Sequence, residues 1–300
     1  MKILLTGANG YIGMRLLPLL VAKGHDIICC VRDKSRFNVA SELREKIEVF
    51  EIDFLDNVTF ENFPKKIDVA YYLIHSMTSS TEDFDKKETL SAENFNQYMK
   101  YSNTKQVIYL SGIVNSNELS KHLNSRKNVE NLLYKGSYAL TVLRAGIIVG
   151  SGSSSFEIIR DLCEKLPFMI TPKWVNTQTQ PIGIRDVLSF MTGVFMNEKC
   201  FNQSFDIAGP NIITYKEMLL LYAKYRKLPL YIFTLPVMTP KLSSYWLYFV
   251  TSTSYKLAIN LVDSMKIPVV AKDKRLQQLL GLQPMTYTKA LQLALSLIHI

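Results

Sequence analysis

The chain has 300 residues, 48% of them hydrophobic, and 35 Lys and Arg against 26 Asp and Glu give a formal net charge of +9. That length and apolar fraction support a large buried core and exclude a disordered or low-complexity chain. Four cysteines, including the adjacent Cys29 and Cys30, exclude a disulfide framework, and no cluster has metal-ligand spacing.

The basic residues are spread along the chain rather than gathered into runs interleaved with aromatics. This argues against nucleic acid and leaves an anionic ligand, an acidic membrane surface or a solvated basic exterior. The apolar run at the start is three residues long and glycines follow it, which does not read as a secretory signal; the expected compartment is the reducing cytoplasm.

The first thirteen residues read MKILLTGANGYIG. Apolar residues 3–5 predict a strand, residues 11–23 a helix, and Gly7, Gly10 and Gly13 stand between or just within them. Such a turn needs the first glycine to bend, the second to let backbone amides approach a pyrophosphate, and the third to let helix pack on strand. The positive end of the helix then faces the anion, so Gly7, Asn9, Gly10, Tyr11, Ile12 and Gly13 are candidate cofactor contacts.

Further strands are predicted over 26–32, 47–52, 69–74, 106–110 and 139–143, with helices such as 82–100 and 120–134 between them. Most of these strands are continuous apolar runs, the mark of burial on both faces, and the repeated strand, helix, strand order predicts an α/β doubly wound parallel sheet.

The second strand ends at Arg32, about 25 positions after Gly7, where such folds select their cofactor. A guanidinium there, with Lys34 and Arg36 behind it, suits a 2′-phosphate and predicts a preference for NADP(H). Asp33 keeps NAD(H) open, as does a reading of Arg32 as the start of a solvated loop. After the third strand, Asp53 and Phe54 are candidates to hydrogen-bond and flank an adenine, with helix capping as the competing role of Asp56. Leu73, Ile74 and His75 close the fourth strand at the carboxyl edge of the sheet, where ligands bind. His75 is an acid/base candidate, a capped loop being the alternative.

TGANGYIG at 6–13, VRD at 31–33, DFLD at 53–56, DVAYYLIHSM at 68–77 and IYLSGI at 108–113 resemble an atypical or extended short-chain dehydrogenase/reductase. So do LRAGIIVG at 143–150, QPIGIRDV at 180–187 and DIAGPNIITYKEM at 206–218, and within that superfamily the likeness is to NmrA-like NAD(P)-binding proteins. The resemblance implies a Rossmann domain over 1–150, to which 179–198 return, and a smaller substrate or partner lobe from 151–178 and 199–300. It implies that Ala145, Gly146, Ile147 and Ile148 run along the nicotinamide.

Active relatives use a serine on strand five, a tyrosine, and a lysine four residues after it. Here Ser111 keeps the serine, while HLNSRKNVENLL at 122–133 puts His122 at the tyrosine position and Arg126 at that of the lysine. Arg126 can hold ribose hydroxyls but stays charged, so it cannot simply stand in for lysine in a proton relay. His122 titrates near neutrality and is the candidate acid, against a plain surface role. Sugar-nucleotide epimerisation, which needs the tyrosine and lysine, is disfavoured.

The second lobe is apolar and aromatic. Residues 228–255 carry one charge, Lys241, and include Tyr245, Trp246, Tyr248 and Phe249; Pro229, Pro236 and Pro240 interrupt the stretch, which argues against a spanning helix. Lobe core, a homodimer or partner face, and peripheral membrane or substrate contact are its three readings. Trp174 and Gln180 are candidate pocket residues. Two functions follow: an NADP(H)-dependent reductase of a small apolar carbonyl, enone or quinone with an unusual proton donor, or a non-catalytic, redox-responsive regulator or assembly partner.

Overall fold

A computed structural model describes residues 1–56, 63–75, 84–114, 121–235 and 265–296. Its centre is a seven-stranded, wholly parallel sheet. Six strands are β1 (Lys2–Thr6), β2 (Asp26–Val31), β3 (Ile47–Glu51), β4 (Val69–Tyr72), β5 (Gln106–Gly112) and β6 (Ala139–Ala145). Among the described residues the α-helices between them are α1 (Tyr11–Ala22), the single turn α2 (Ser41–Arg44), α3 (Phe84–Met99) and α4 (Lys121–Leu133). The spatial order β3-β2-β1-β4-β5-β6 reverses beside β1, so the crevice of the Rossmann topology opens above β1 and β4.

Side chains alternate between two cores. Ile3 and Leu5 of β1 pack with Leu16, Leu17 and Leu20 of α1, whereas Leu4 packs with Phe95 and Met99 of α3 and Leu133 of α4. Central strands are therefore buried on both faces and mostly apolar, while edge strand β3 is only partly buried, in keeping with its mixed sequence. All four cysteines are free and buried, and burial pushes their thiols up.

Beyond β6 come β7 (Ile148–Val149), α5 (Ser154–Lys165), β8 (Phe168–Pro172), β9 (Gln178–Thr179), β10 (Ile182–Gly183) and α6 (Ile184–Gly193). They are followed by β11 (Gln203–Ile207), β12 (Ile213–Thr214), α7 (Tyr215–Arg226), β13 (Tyr231–Leu235), and helices Arg275–Leu280 and Tyr287–Ser296. Helix α6 packs beside α1 beneath the sheet, and α5, α7 and the last helix enclose a third core around Phe156, Met218 and Leu291. The seventh sheet strand is β11, paired with β6 from Gln203↔Thr141 to Ile207↔Ala145. It comes from a stretch expected in the smaller lobe; its polar first half hid a strand that is buried only from Phe205 onward.

Among the described residues no helix is long and apolar enough to cross a membrane. Of the aromatic stretch 228–255, only 228–235 are described. Tyr245, Trp246, Tyr248 and Phe249 lie outside the described residues, as do Ser76 and Met77.

Candidate functional site

At the mouth of the crevice, β1 and β4 are joined by one hydroxyl: Thr6 Oγ1 donates to the Tyr71 carbonyl at 3.0 Å and accepts from the Leu73 amide at 3.0 Å. Gly7 follows at φ 61°, and a Cβ there would stand 2.6 Å from the Leu73 carbonyl oxygen. A Cβ on Gly13 would stand 2.5 Å from the Gly7 carbonyl oxygen. Helix α1 starts at Tyr11 with Gly10 as an N-cap that makes no side-chain cap, so its first amides are left for an anion. Gly7→Ala is expected to cost about 2 kcal/mol of stability through strain and displacement of Leu73, read by urea unfolding.

The glycine turn forms one end of a cleft of about 530 Å³ that runs past Arg32, Asp53 and Phe54 to Leu73, Ile74, His75 and Arg126. Asn9, Tyr11, Ile12, Gly146 and Ile148 also line it. Arg32 is exposed just past the end of β2. Asp33 is turned to its own loop: its carboxylate accepts from the Ser35 amide at 2.9 Å and hydroxyl at 2.5 Å, bonds that hold it below the usual carboxylate range, and lies 3.5 Å from Arg36. Asp53 caps a turn through the Leu55 amide at 3.0 Å. The Phe54 ring packs edge-on against Tyr98 at 5.5 Å, so it belongs to the core as well as to the cleft wall.

Below the cleft His75 and Arg126 join a polar cluster whose other members, Glu88 and Ser125, sequence reasoning missed. Glu88 of α3, 3% exposed, accepts from His75 Nδ1 at 2.6 Å and from the Ser125 hydroxyl at 3.0 Å. Arg126, one residue on, donates to the Leu110 carbonyl at 3.2 Å and to Tyr109 Oη at 3.4 Å. Burial opposes the charge of Glu88, but the His75 hydrogen bond, the Arg126 charge and Ser125 outweigh it and hold the carboxyl below its usual value. Burial and the Arg126 charge hold His75 below its usual value against the pull of Glu88. Arg126 remains a cation: Tyr109 and Glu88 more than offset its burial. The imidazole is thus a neutral hydrogen-bonding group near pH 7 rather than a ready acid.

An apolar chamber of about 290 Å³ adjoins the cleft, and Leu110, Arg126, Gly146 and Ile148 line both. Ser111, Ala145 and Ile147 face the chamber rather than the cleft. Its far wall is Ile158 and Leu162 of α5, Thr171 of β8, and Met218 of α7. Trp174 lines it too, with the indole Nε1 buried and unbonded. Gln180 does not: its side chain donates to the Gly209 carbonyl at 2.6 Å and accepts from the Ala271 amide at 3.0 Å, tying the lobe together. His122 lies in the first turn of α4, and its side chain is outside the described residues.

A profile described as NAD(P)H-binding matches residues 7–152. Among curated proteins, the divinyl chlorophyllide a 8-vinyl-reductases of Arabidopsis thaliana (over 226 residues) and Cucumis sativus (over 224) are each 22% identical, covering 70% of this chain. The chain spans about half the length of these relatives, 53% of each. Among solved structures, a nucleoside-diphosphate-sugar epimerase from Staphylococcus aureus superposes with a TM-score of 0.78 at 18% identity, covering 97% of this chain and all of that one. The UDP-glucuronic acid 4-epimerase of Bacillus cereus, solved with UDP-glucuronic acid and NAD, gives 0.74 at 14% identity over 100% of this chain and 99% of its own. With the glycine turn, the parallel sheet and the long cleft in place, these likenesses show a Rossmann fold similar to that of the epimerases, in which residues 7–152 match the NAD(P)H-binding family.

Proposed function

We propose that this protein is an NADP(H)-dependent reductase of a small apolar carbonyl, enone or quinone, with a proton donor other than tyrosine. The observation that carries this reading is the shared wall: the cleft opens into a chamber in which, among the described residues, Arg126 is the one charged side chain. Aliphatic walls favour an uncharged acceptor and give no purchase to a sugar diphosphate. The two curated relatives named as reductases support the same class of chemistry.

The cleft fits the dinucleotide. The closed glycine turn and uncapped start of α1 would hold the pyrophosphate, Arg32 the 2′-phosphate and Arg126 the ribose beside the nicotinamide. When bound, the cofactor supplies the hydride. Arg126 then places a fixed positive charge and hydrogen-bond donors where oxygen of the acceptor gains negative charge. His75, kept neutral, orients polar groups at that end of the cleft, and the proton comes from His122 or from water.

Arg32→Ala is expected to weaken NADPH binding by about tenfold or more, some 1.4 kcal/mol, and leave NADH within about twofold. Equal losses for both would remove Arg32 from the 2′-phosphate site. Parallel calorimetric titrations with NADPH and NADH come first, followed by NADPH oxidation with a panel of quinones, enones and sugar nucleotides. Oxidation by apolar acceptors alone supports the reductase. The absent tyrosine and lysine favour a second reading, a redox-responsive regulator; cofactor-dependent association with another protein, without oxidation of NADPH by any acceptor, would establish that instead.

A further inference from the structure

Strands β8 and β13 form a separate two-stranded parallel sheet with Phe168 opposite Tyr231 and Ile170 opposite Phe233. Because strand side chains alternate, these four share one face. All are more than half exposed: Phe168 65%, Ile170 53%, Tyr231 54% and Phe233 59%. Leu235 extends the patch, and the Phe168 and Tyr231 rings stack at 5.1 Å. The opposite face carries buried Met169 and Thr171, the latter in the chamber wall, and Ile232, which packs on the lobe core. Apolar side chains occupy both faces of this sheet, whereas a strand with one solvated face ordinarily alternates apolar with polar.

Basic residues stand at both ends of these strands. The two strands are parallel, so the helix ends that lead into them lie side by side: α5 ends at Lys165, and α7 ends with Lys224, Arg226 and the cap Lys227. Lys165 is paired with Asp161 at 3.1 Å and Arg226 with Glu164 at 3.4 Å, while Lys224, Lys227 and, past the other end of β8, Lys173 are exposed. An aromatic and aliphatic face bordered by cations is the arrangement that seats a protein at a lipid interface, with rings among the acyl chains and ammonium groups at the headgroups. A second copy of the chain would set the same basic border against itself.

We propose that the outer face of β8 and β13 docks on an anionic lipid bilayer. This does not depend on the reductase reading, because the face stands outside the cleft and can be tested without cofactor. The assay is flotation with phosphatidylcholine vesicles containing about a quarter phosphatidylglycerol, against phosphatidylcholine alone. The expected result is partitioning at least about tenfold stronger on the anionic vesicles, weakening as salt rises.

Phe168→Ser combined with Phe233→Ser is expected to lower that partitioning by about tenfold while circular dichroism and melting temperature hold. Lys173→Glu combined with Lys224→Glu should remove most of the preference for anionic lipid and leave the fold unchanged. No partitioning on either vesicle, or partitioning that neither double variant alters, overturns the proposal. Sedimentation without lipid covers the alternative occupant: self-association abolished by the phenylalanine variant, with no flotation of the wild type, would assign the face to a second copy.

Discussion

Replacing Glu88 with alanine is expected to lower the unfolding free energy by about 3 kcal/mol, read by urea unfolding at neutral pH. The carboxylate is 3% exposed and uses both oxygens, one on His75 and one on Ser125, with the Arg126 charge close by. Its loss removes the carboxylate charge facing the half-buried Arg126 guanidinium and the acceptor used by the buried Ser125 hydroxyl and by His75 Nδ1, the kind of loss that makes breaking a buried ionic cluster costly. Glu88→Gln keeps the shape and one acceptor and should cost clearly less. A fall below about 1 kcal/mol for the alanine variant would mean that water replaces the carboxylate without penalty.

The same cluster sets the direction of pH dependence. His75 is held below its unfolded value of 6.5, so below that pH the unfolded chain binds the proton more readily and stability falls. Glu88 is held below 4.5, and its contribution, complete above that pH, is lost as acid protonates it. Both act in one sense: melting temperature should decline from pH 7 toward pH 4, and in Glu88→Ala the His75 part of the decline should persist, because Glu88 is the group that pulls His75 upward, while the Glu88 part below pH 4.5 is lost.

Arg126→Leu is expected to reduce affinity for NADPH and NADH alike by at least about tenfold, some 1.4 kcal/mol in a calorimetric titration. Arg126 lines both cleft and chamber, and its Nη1 is braced by the Leu110 carbonyl and Tyr109. A shared loss is the signature of contact with the part common to both dinucleotides, in contrast to the NADPH-selective loss expected at Arg32. Leucine matches the chamber walls in polarity, so the fold should survive, and an unchanged affinity would remove Arg126 from the cofactor site.

Much of this arrangement was legible in the sequence because it is local. Strands β1, β2, β4, β5 and β6 announce themselves as apolar runs, and the glycine turn is read from residues that touch one another along a short stretch of chain. Contacts that cross the chain were hidden. Glu88 looks like any polar residue of an amphipathic helix; only folding brings it to His75 and Ser125, 13 and 37 positions away. Gln180 was misplaced in the pocket for the same reason, its partners being Gly209 and Ala271. Residues 203–207, with a polar start, gave no run long enough to reveal β11. The face of β8 and β13 is visible only once their pairing is known, because a single strand does not show what its neighbour presents.

The wall held in common by cleft and chamber has a kinetic consequence. Leu110, Arg126, Gly146 and Ile148 separate two spaces while belonging to both, so a dinucleotide seated in one supplies a surface to the other. An acceptor arriving before the cofactor would enter a chamber open along one side and bind weakly. For the proposed reductase this imposes an order of arrival: cofactor first and acceptor second, with the oxidised dinucleotide the last to leave and competitive against its reduced form.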